Sequence, residues 1–172
     1  MNCKAFLLIS FAMLVFSSCQ PPLETLYRRQ MILNPTSQDQ IEKNRILQYA
    51  VDNQMDLKST DSGIYYNIKD PGDTRQKPGK ESLITAHYVG RLLLGGDVFD
   101  SSRDRNEPLQ FKLDEVIEGW QESIPLLGKG GEGTFIIPSR LAYGDKRTGA
   151  IPPNSVLIFD IELIDFENRP EG

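Results

Sequence analysis

His87 is the only histidine in the chain, and Cys3 and Cys19 are its only cysteines. A lone His supplies neither a nucleophile–base pair nor a zinc site, both of which need partners of the right type nearby. His87 falls in an alternating segment and reads as a strand-surface residue. Several Ser occur, but no G-x-S-x-G nucleophile elbow. The run Gly128-Lys129-Gly130-Gly131-Glu132-Gly133 resembles a phosphate loop in composition only. A phosphate loop follows a strand and opens a helix, so that helix N–H groups meet the anion; here the order is helix, loop, strand. With a formal net charge of -5, nothing points to a nucleic-acid partner. What remains is a set of aromatic residues in the 88–159 region: Tyr88, Phe99, Trp120, Tyr143 and Phe159. On type alone such residues are core.

The elements that must position them follow from periodicity. At 172 residues the chain suits one domain with appendages. Its 11 Pro and 14 Gly imply many turns and argue against a helical bundle. An apolar run from Ala5 to Phe16 follows Lys4. It is shorter than the roughly 20 residues a bilayer span takes and fits the apolar region of a secretory signal. It ends in Phe16-Ser17-Ser18-Cys19, which resembles a bacterial lipobox with Cys19 as the acylated residue, although Phe16 stands where a small aliphatic is usual. The expected divisions are a lipoprotein signal over 1–18, a tether over 19–36, a helix and linker over 37–61, and the main domain over 62–168. Pro21-Pro22 favours extended backbone, and Asn34-Pro35 breaks it. Ser37 and Gln40 have the capping-box form. Leu47, Ala50, Val51 and Met55 then recur at helical spacing, predicting a helix over 38–56. Its modest apolar stripe suits packing on its own domain or on a second copy.

From Gly63 the period becomes two. Ile64, Tyr66 and Ile68 alternate with polar-side neighbours, as a half-buried strand requires. Further strands are predicted over 83–94, from Val98 to Asp100, and over 109–113, 134–137 and 155–166. Gly95-Gly96 makes the hairpin turn. A short helix begins near Asp114 and carries Val116, Ile117, Trp120 and Ile124. The fold class is therefore α+β: a mostly antiparallel sheet of five to six strands around one short helix, preceded by an N-terminal helix.

The order of the residues between the aromatics adds a resemblance. Phe99-Asp100-Ser101-Ser102 follows the glycine turn. Glu115-Val116-Ile117-Glu118-Gly119-Trp120 opens the short helix. Leu141-Ala142-Tyr143-Gly144 follows Ile137-Pro138, and Ile151-Pro152-Pro153-Asn154 precedes Leu157-Ile158-Phe159-Asp160. Over about residues 62–167 this succession resembles the FKBP family of peptidyl-prolyl isomerases. The resemblance implies a curved sheet wrapped around a short helix, with a pocket between them and no cofactor or metal. It implies Trp120 as the floor, and Tyr88, Phe99, Val116, Ile117 and Phe159 as walls. Asp100, Tyr143 and Ile151 would stand at the rim. The Ile117 N–H and the Tyr143 hydroxyl would hold substrate carbonyls, and Arg105 would steady Asp100. The chain departs from the family pattern at Leu109, where many members have Phe. It departs again at Ala150, where a bulkier apolar residue is usual, and in the Leu113–Val116 stretch, short by about two residues. The implied activity is rotation of X-Pro bonds in exported polypeptide clients, from a lipid anchor in the outer membrane, facing the periplasm. A binding module with little turnover, or a dimeric chaperone, are the competing expectations; the chain is expected to be a monomer.

Overall fold

A computed structural model describes residues 22–168; the expected signal over 1–18 and the lipidation residue Cys19 lie outside the described residues. Two helices come first, α1 (Leu23–Gln30) and α2 (Gln38–Asp52). The sheet follows: β1 (Lys58–Ser59), β2 (Tyr65–Asp70), β3 (Leu83–Leu92), β4 (Val98–Ser101), β5 (Leu109–Lys112), β6 (Gly131–Ile137) and β7 (Leu157–Glu167). Between β5 and β6 runs α3 (Glu118–Ser123), with a 3-10 turn on either side. The strand order is β1-β2-β6-β7-β3-β4, all pairs antiparallel, and β5 also pairs with β3.

The sheet therefore has seven strands rather than five or six. The additional one, β1, has two residues with both side chains exposed, so it carries no alternation to read. Along β3 every second residue is buried, and Ile84, Ala86, Tyr88 and Gly90 share the inner face. Leu157, Phe159, Ile161 and Leu163 of β7 share it too. These residues, with Trp120 and Ile124 of the short-helix region, make the main core.

The outer face is covered as well. Tyr65, Ile136 and Ile158 point away from the main core and pack with Ile46, Leu47 and Ala50 of α2 and Tyr27 of α1. This corrects the expected tether over 19–36. Leu23–Gln30 is helical, Tyr27 is 2% exposed, and its hydroxyl accepts from Leu57 N (2.6 Å) and donates to Met55 O (3.1 Å). Pro22 stands at the helix start, where its fixed φ favours helix entry. The Asn44 side chain then bonds both Ile32 N and Ile32 O at 2.8 Å, pinning the connection between the helices.

Two details of α2 also differ from expectation. Ser37 Oγ accepts from Gln40 N at 3.3 Å, but Gln40 Oε1 accepts from Thr36 N at 2.8 Å rather than from Ser37, so the reciprocal bond is displaced by one residue. The helix stops at Asp52 instead of 56, because Gln54 takes a left-handed φ of 54° and Met55 N bonds back to Ala50 O.

Candidate functional site

The side chains of the site are delivered by several elements. β3 supplies Tyr88 on its inner face, and β4, returning from the Gly95-Gly96 turn, supplies Phe99 and Asp100. Gly90 lies between them, paired with both Asp100 and Phe159. A Cβ at Gly90 would meet Phe99 Cζ at 2.6 Å and Phe159 Cε1 at 3.0 Å, so the missing side chain is the space that the Phe99 ring occupies. On α3, Gly119 plays the same part toward the sheet: a Cβ there would meet Ile137 Cγ2 at 2.4 Å. That close approach seats Trp120 against the inner face. The Trp120 ring lies 5.1 Å from Tyr88, edge-on, 5.1 Å from Phe159, also edge-on, and 5.2 Å from Phe111. Phe99 meets Phe159 edge to face at 5.7 Å. Edge-to-face packing matches ring quadrupoles and holds each ring in one orientation.

A cavity of about 300 Å3 opens between α3 and the sheet, lined by Tyr88, Phe99, Asp100, Leu109, Glu115, Val116, Ile117, Trp120, Tyr143 and Phe159. The residues expected as floor and walls are thus brought together. Ile117 caps α3, its carbonyl accepting from Trp120 N (2.9 Å) and Gln121 N (3.2 Å). Ile151 is a correction: expected at the rim, it is 5% exposed and packs in the main core. Its N–H and C=O are taken up by a two-way backbone pair with Thr148. Ala150 is exposed and does not line the cavity.

Asp100 centres a charge network at the mouth. Its carboxylate accepts from the Tyr88 hydroxyl and from Arg105 Nη1. Arg105 Nη2 also reaches Tyr88 Oη at 3.2 Å, and its guanidinium lies 5.9 Å from the Tyr88 ring centre. Burial pushes the Asp100 carboxyl upward, but the hydrogen bonds from Tyr88 and Arg105 outweigh it and hold the group below the ordinary carboxylate value. Asp100 is therefore an anion at neutral pH. Burial raises the Tyr88 hydroxyl, and the bond to Asp100 adds to the rise. Tyr143 is raised by burial and then by the Asp100 charge. Both phenols stay protonated and able to donate.

Several contributors escaped the sequence reading. Glu115 lines the mouth and pairs with Lys112 at 2.8 Å. Phe111, two residues after Leu109 on β5, packs on Trp120; an aromatic at strand period two from Leu109 was the available signal. Ser102 is fully buried, and its Oγ accepts from Tyr88 N at 2.8 Å while its N–H donates to Tyr88 O at 3.1 Å. It fixes the Tyr88 backbone. The same Oγ lies 3.0 Å from His87 Nδ1, which ties the half-buried His87 to the residue that follows β4. A second cavity, about 320 Å3, lies between α2 and residues 92–94 and 152–156. It gathers neither an aromatic wall nor a fixed carboxylate.

The site thus offers apolar ring walls, two ion-paired carboxylates, Asp100 and Glu115, and two phenols. Among the described residues that line it, none pairs a nucleophile with a base. Such an arrangement has the shape and polarity to hold a small apolar ring with flanking polar groups.

Residues 74–164 match the family model described as FKBP-type peptidyl-prolyl cis-trans isomerase. A probable FKBP-type isomerase of Haemophilus influenzae is 44% identical over 119 residues, covering 67% of this chain and 48% of that protein. FkpA of Aeromonas hydrophila is 45% identical over 111 residues, covering 64% of this chain and 41% of that protein. The chain spans less than half the length of these curated relatives. The crystal structure of FkpA from Escherichia coli superposes with TM-score 0.69 at 32% identity, over 86% of this chain and 65% of that one. AtFKBP13 superposes with TM-score 0.59 at 42% identity, over 64% of this chain and 98% of that one. The cavity between sheet and helix, its ring walls and the matched family model together show that the chain belongs to the FKBP-type peptidyl-prolyl cis-trans isomerase family.

Proposed function

We propose that the chain is a peptidyl-prolyl cis-trans isomerase that accelerates rotation of X-Pro bonds in polypeptide clients. The observation that carries this is the 300 Å3 cavity walled by Tyr88, Phe99, Trp120 and Phe159, with Asp100 fixed at its mouth. An X-Pro bond prefers trans by only about 0.5–1 kcal/mol, yet exchange is slow, because rotation breaks the resonance that makes the C–N bond partly double, a barrier of about 18–20 kcal/mol. The planar amide is the more dipolar state, and water stabilises it. Ring walls that exclude water take away that solvation while the twisted bond loses less, a substitution of solvent by a fixed environment. The proline ring would sit over Trp120. The Tyr143 hydroxyl and the Ile117 N–H would orient the flanking carbonyls while the bond turns. Asp100 would hold the mouth in shape and supply a fixed negative charge. No proton moves and no cofactor is required.

We propose further that the protein is exported and anchored by a lipid on Cys19, facing the periplasm. The Ala5–Phe16 apolar run and the small residues before Cys19 support this. Among the described residues no helix is long and apolar enough to cross a membrane. An anchored isomerase would meet exported clients where proline exchange limits folding.

A protease-coupled isomerisation assay on X-Pro tetrapeptides, varying the residue before Pro, tests the activity. Acceleration by the full chain supports it. A folded chain that binds such peptides without accelerating exchange is instead a docking module for Pro-containing partners.

A further inference from the structure

Glu42 of α2 is 1% exposed, a carboxylate buried on the side of the sheet away from the cavity. Burying a carboxylate is costly unless its oxygens are satisfied. Here they are satisfied chiefly by one distant residue. Glu42 Oε2 accepts from Ser139 N at 2.8 Å, and Oε1 accepts from Ser139 Oγ at 2.6 Å and from Gln38 Nε2 at 2.6 Å. Ser139 begins the 3-10 turn Ser139–Leu141 that follows β6. Its carbonyl in turn accepts from Ala142 N at 2.9 Å and Gly144 N at 2.8 Å. These two peptide groups flank Tyr143, whose ring lines the cavity. One residue therefore links a buried carboxyl group on the N-terminal helix to both backbone neighbours of Tyr143.

A second strut runs alongside. Arg140, next in the turn, donates to Ser62 O and lies 3.5 Å from Asp39 of α2. Ser62 Oγ donates to Glu122 of α3, the helix that carries Trp120. Packing on the outer sheet face calls for apolar residues such as Ile46 and Leu47; it does not call for a carboxylate aimed at this turn.

We propose that Glu42 is a positioning residue of the candidate site, acting through Ser139 on Tyr143, so that the N-terminal helix is part of the isomerase and not only an appendage. This rests on the isomerase reading of the same cavity. Glu42→Ala leaves two buried donors of Ser139 without acceptors and frees the turn. Glu42→Gln keeps one acceptor oxygen and the shape.

The test is a double-mutant cycle on the full chain, comparing Glu42→Ala and Glu42→Gln in the native and Tyr143→Phe backgrounds. Two readouts are taken with an Ala-Ala-Pro-Phe peptide: kcat/KM, and binding followed by emission of Trp120, the chain's only Trp. Glu42→Ala is expected to lower kcat/KM and weaken peptide binding about tenfold, and Glu42→Gln to restore most of both. In the Tyr143→Phe background Glu42→Ala is expected to add less than about twofold. Ser139→Ala, which removes only the hydroxyl donor, gives a milder variant should Glu42→Ala fold poorly, and is expected to show the same loss of effect in the Tyr143→Phe background. Equal losses in both backgrounds, or none in either, overturn the proposal. Binding without turnover in the unaltered chain sinks the isomerase reading alone, and the binding cycle still decides the role of Glu42. Neither binding nor turnover removes the site and the role of Glu42 with it.

Discussion

Gly90 and Asp100 sit opposite each other across β3 and β4, and each sets one property of the site. Gly90 makes room for the Phe99 ring. Gly90→Ala is expected to push that ring off Phe159, lowering kcat/KM about tenfold and stability by about 1–3 kcal/mol; unchanged kinetics in a folded variant would mean the Phe99 wall does not matter. Asp100 sets the response to pH. Its folded value is depressed, so the stability it contributes is complete above the ordinary carboxylate value of about 3.9 and is lost as pH falls through the lower folded value. Tyr88 and Tyr143 are shifted upward, away from neutrality. The expected kcat/KM profile is flat between about pH 5 and 9; a clear inflection inside that range would implicate a titrating group outside this account. At this scale the aromatic set was legible, because large rings in a fixed order are visible in any sequence. Ser102, Ser139 and Glu42 were not. Their roles depend on backbone groups brought near by folding, and a small polar residue looks the same in a loop as in a buried clamp.

Among the elements, α2 is a helix as expected, ending four residues early. Its helical character followed from Ser37 and the Leu47-Ala50 spacing. Its partner did not, since an apolar stripe does not say which surface it covers. The structure lays it on the outer face of the sheet, with Ile46 and Leu47 fully buried. Ile46→Ala is expected to cost about 2–5 kcal/mol in denaturant unfolding; a loss below 1 kcal/mol would mean that α2 docks only loosely. The α1 segment was misread as a tether because its two prolines come before the helix and its apolar stripe is short. Leu23, Leu26 and Tyr27 repeat over barely one helical turn, and Tyr27 is held in place by hydrogen bonds with Met55 and Leu57, residues no local window contains. The strands from β2 to β7 were readable because one face is packed against α3 and alternation follows directly from that. Tyr65 broke the pattern by being buried on the opposite face, a consequence of the α2 cover.

The whole molecule is one sheet with apolar residues on both faces: one face forms the main core and the candidate site against α3, the other supports the N-terminal helices. Bonds from Glu42 to Ser139 join the two sides at the turn that delivers Tyr143. This arrangement uses the α2 stripe within its own chain. The proposed anchor belongs to this scale too. Replacing Cys19 with Ser is expected to move the protein from the membrane fraction to the soluble one, and a variant that stays with the membrane would refute lipidation. We propose that the ring-walled cavity with Asp100 at its mouth turns X-Pro bonds. The most direct measurement is kcat/KM for X-Pro tetrapeptides with the full chain, Asp100→Ala and Phe99→Ala, each checked for native fold by circular dichroism. The account expects acceleration by the unaltered chain and a loss of about tenfold or more in each folded variant; unchanged turnover in both variants would contradict it.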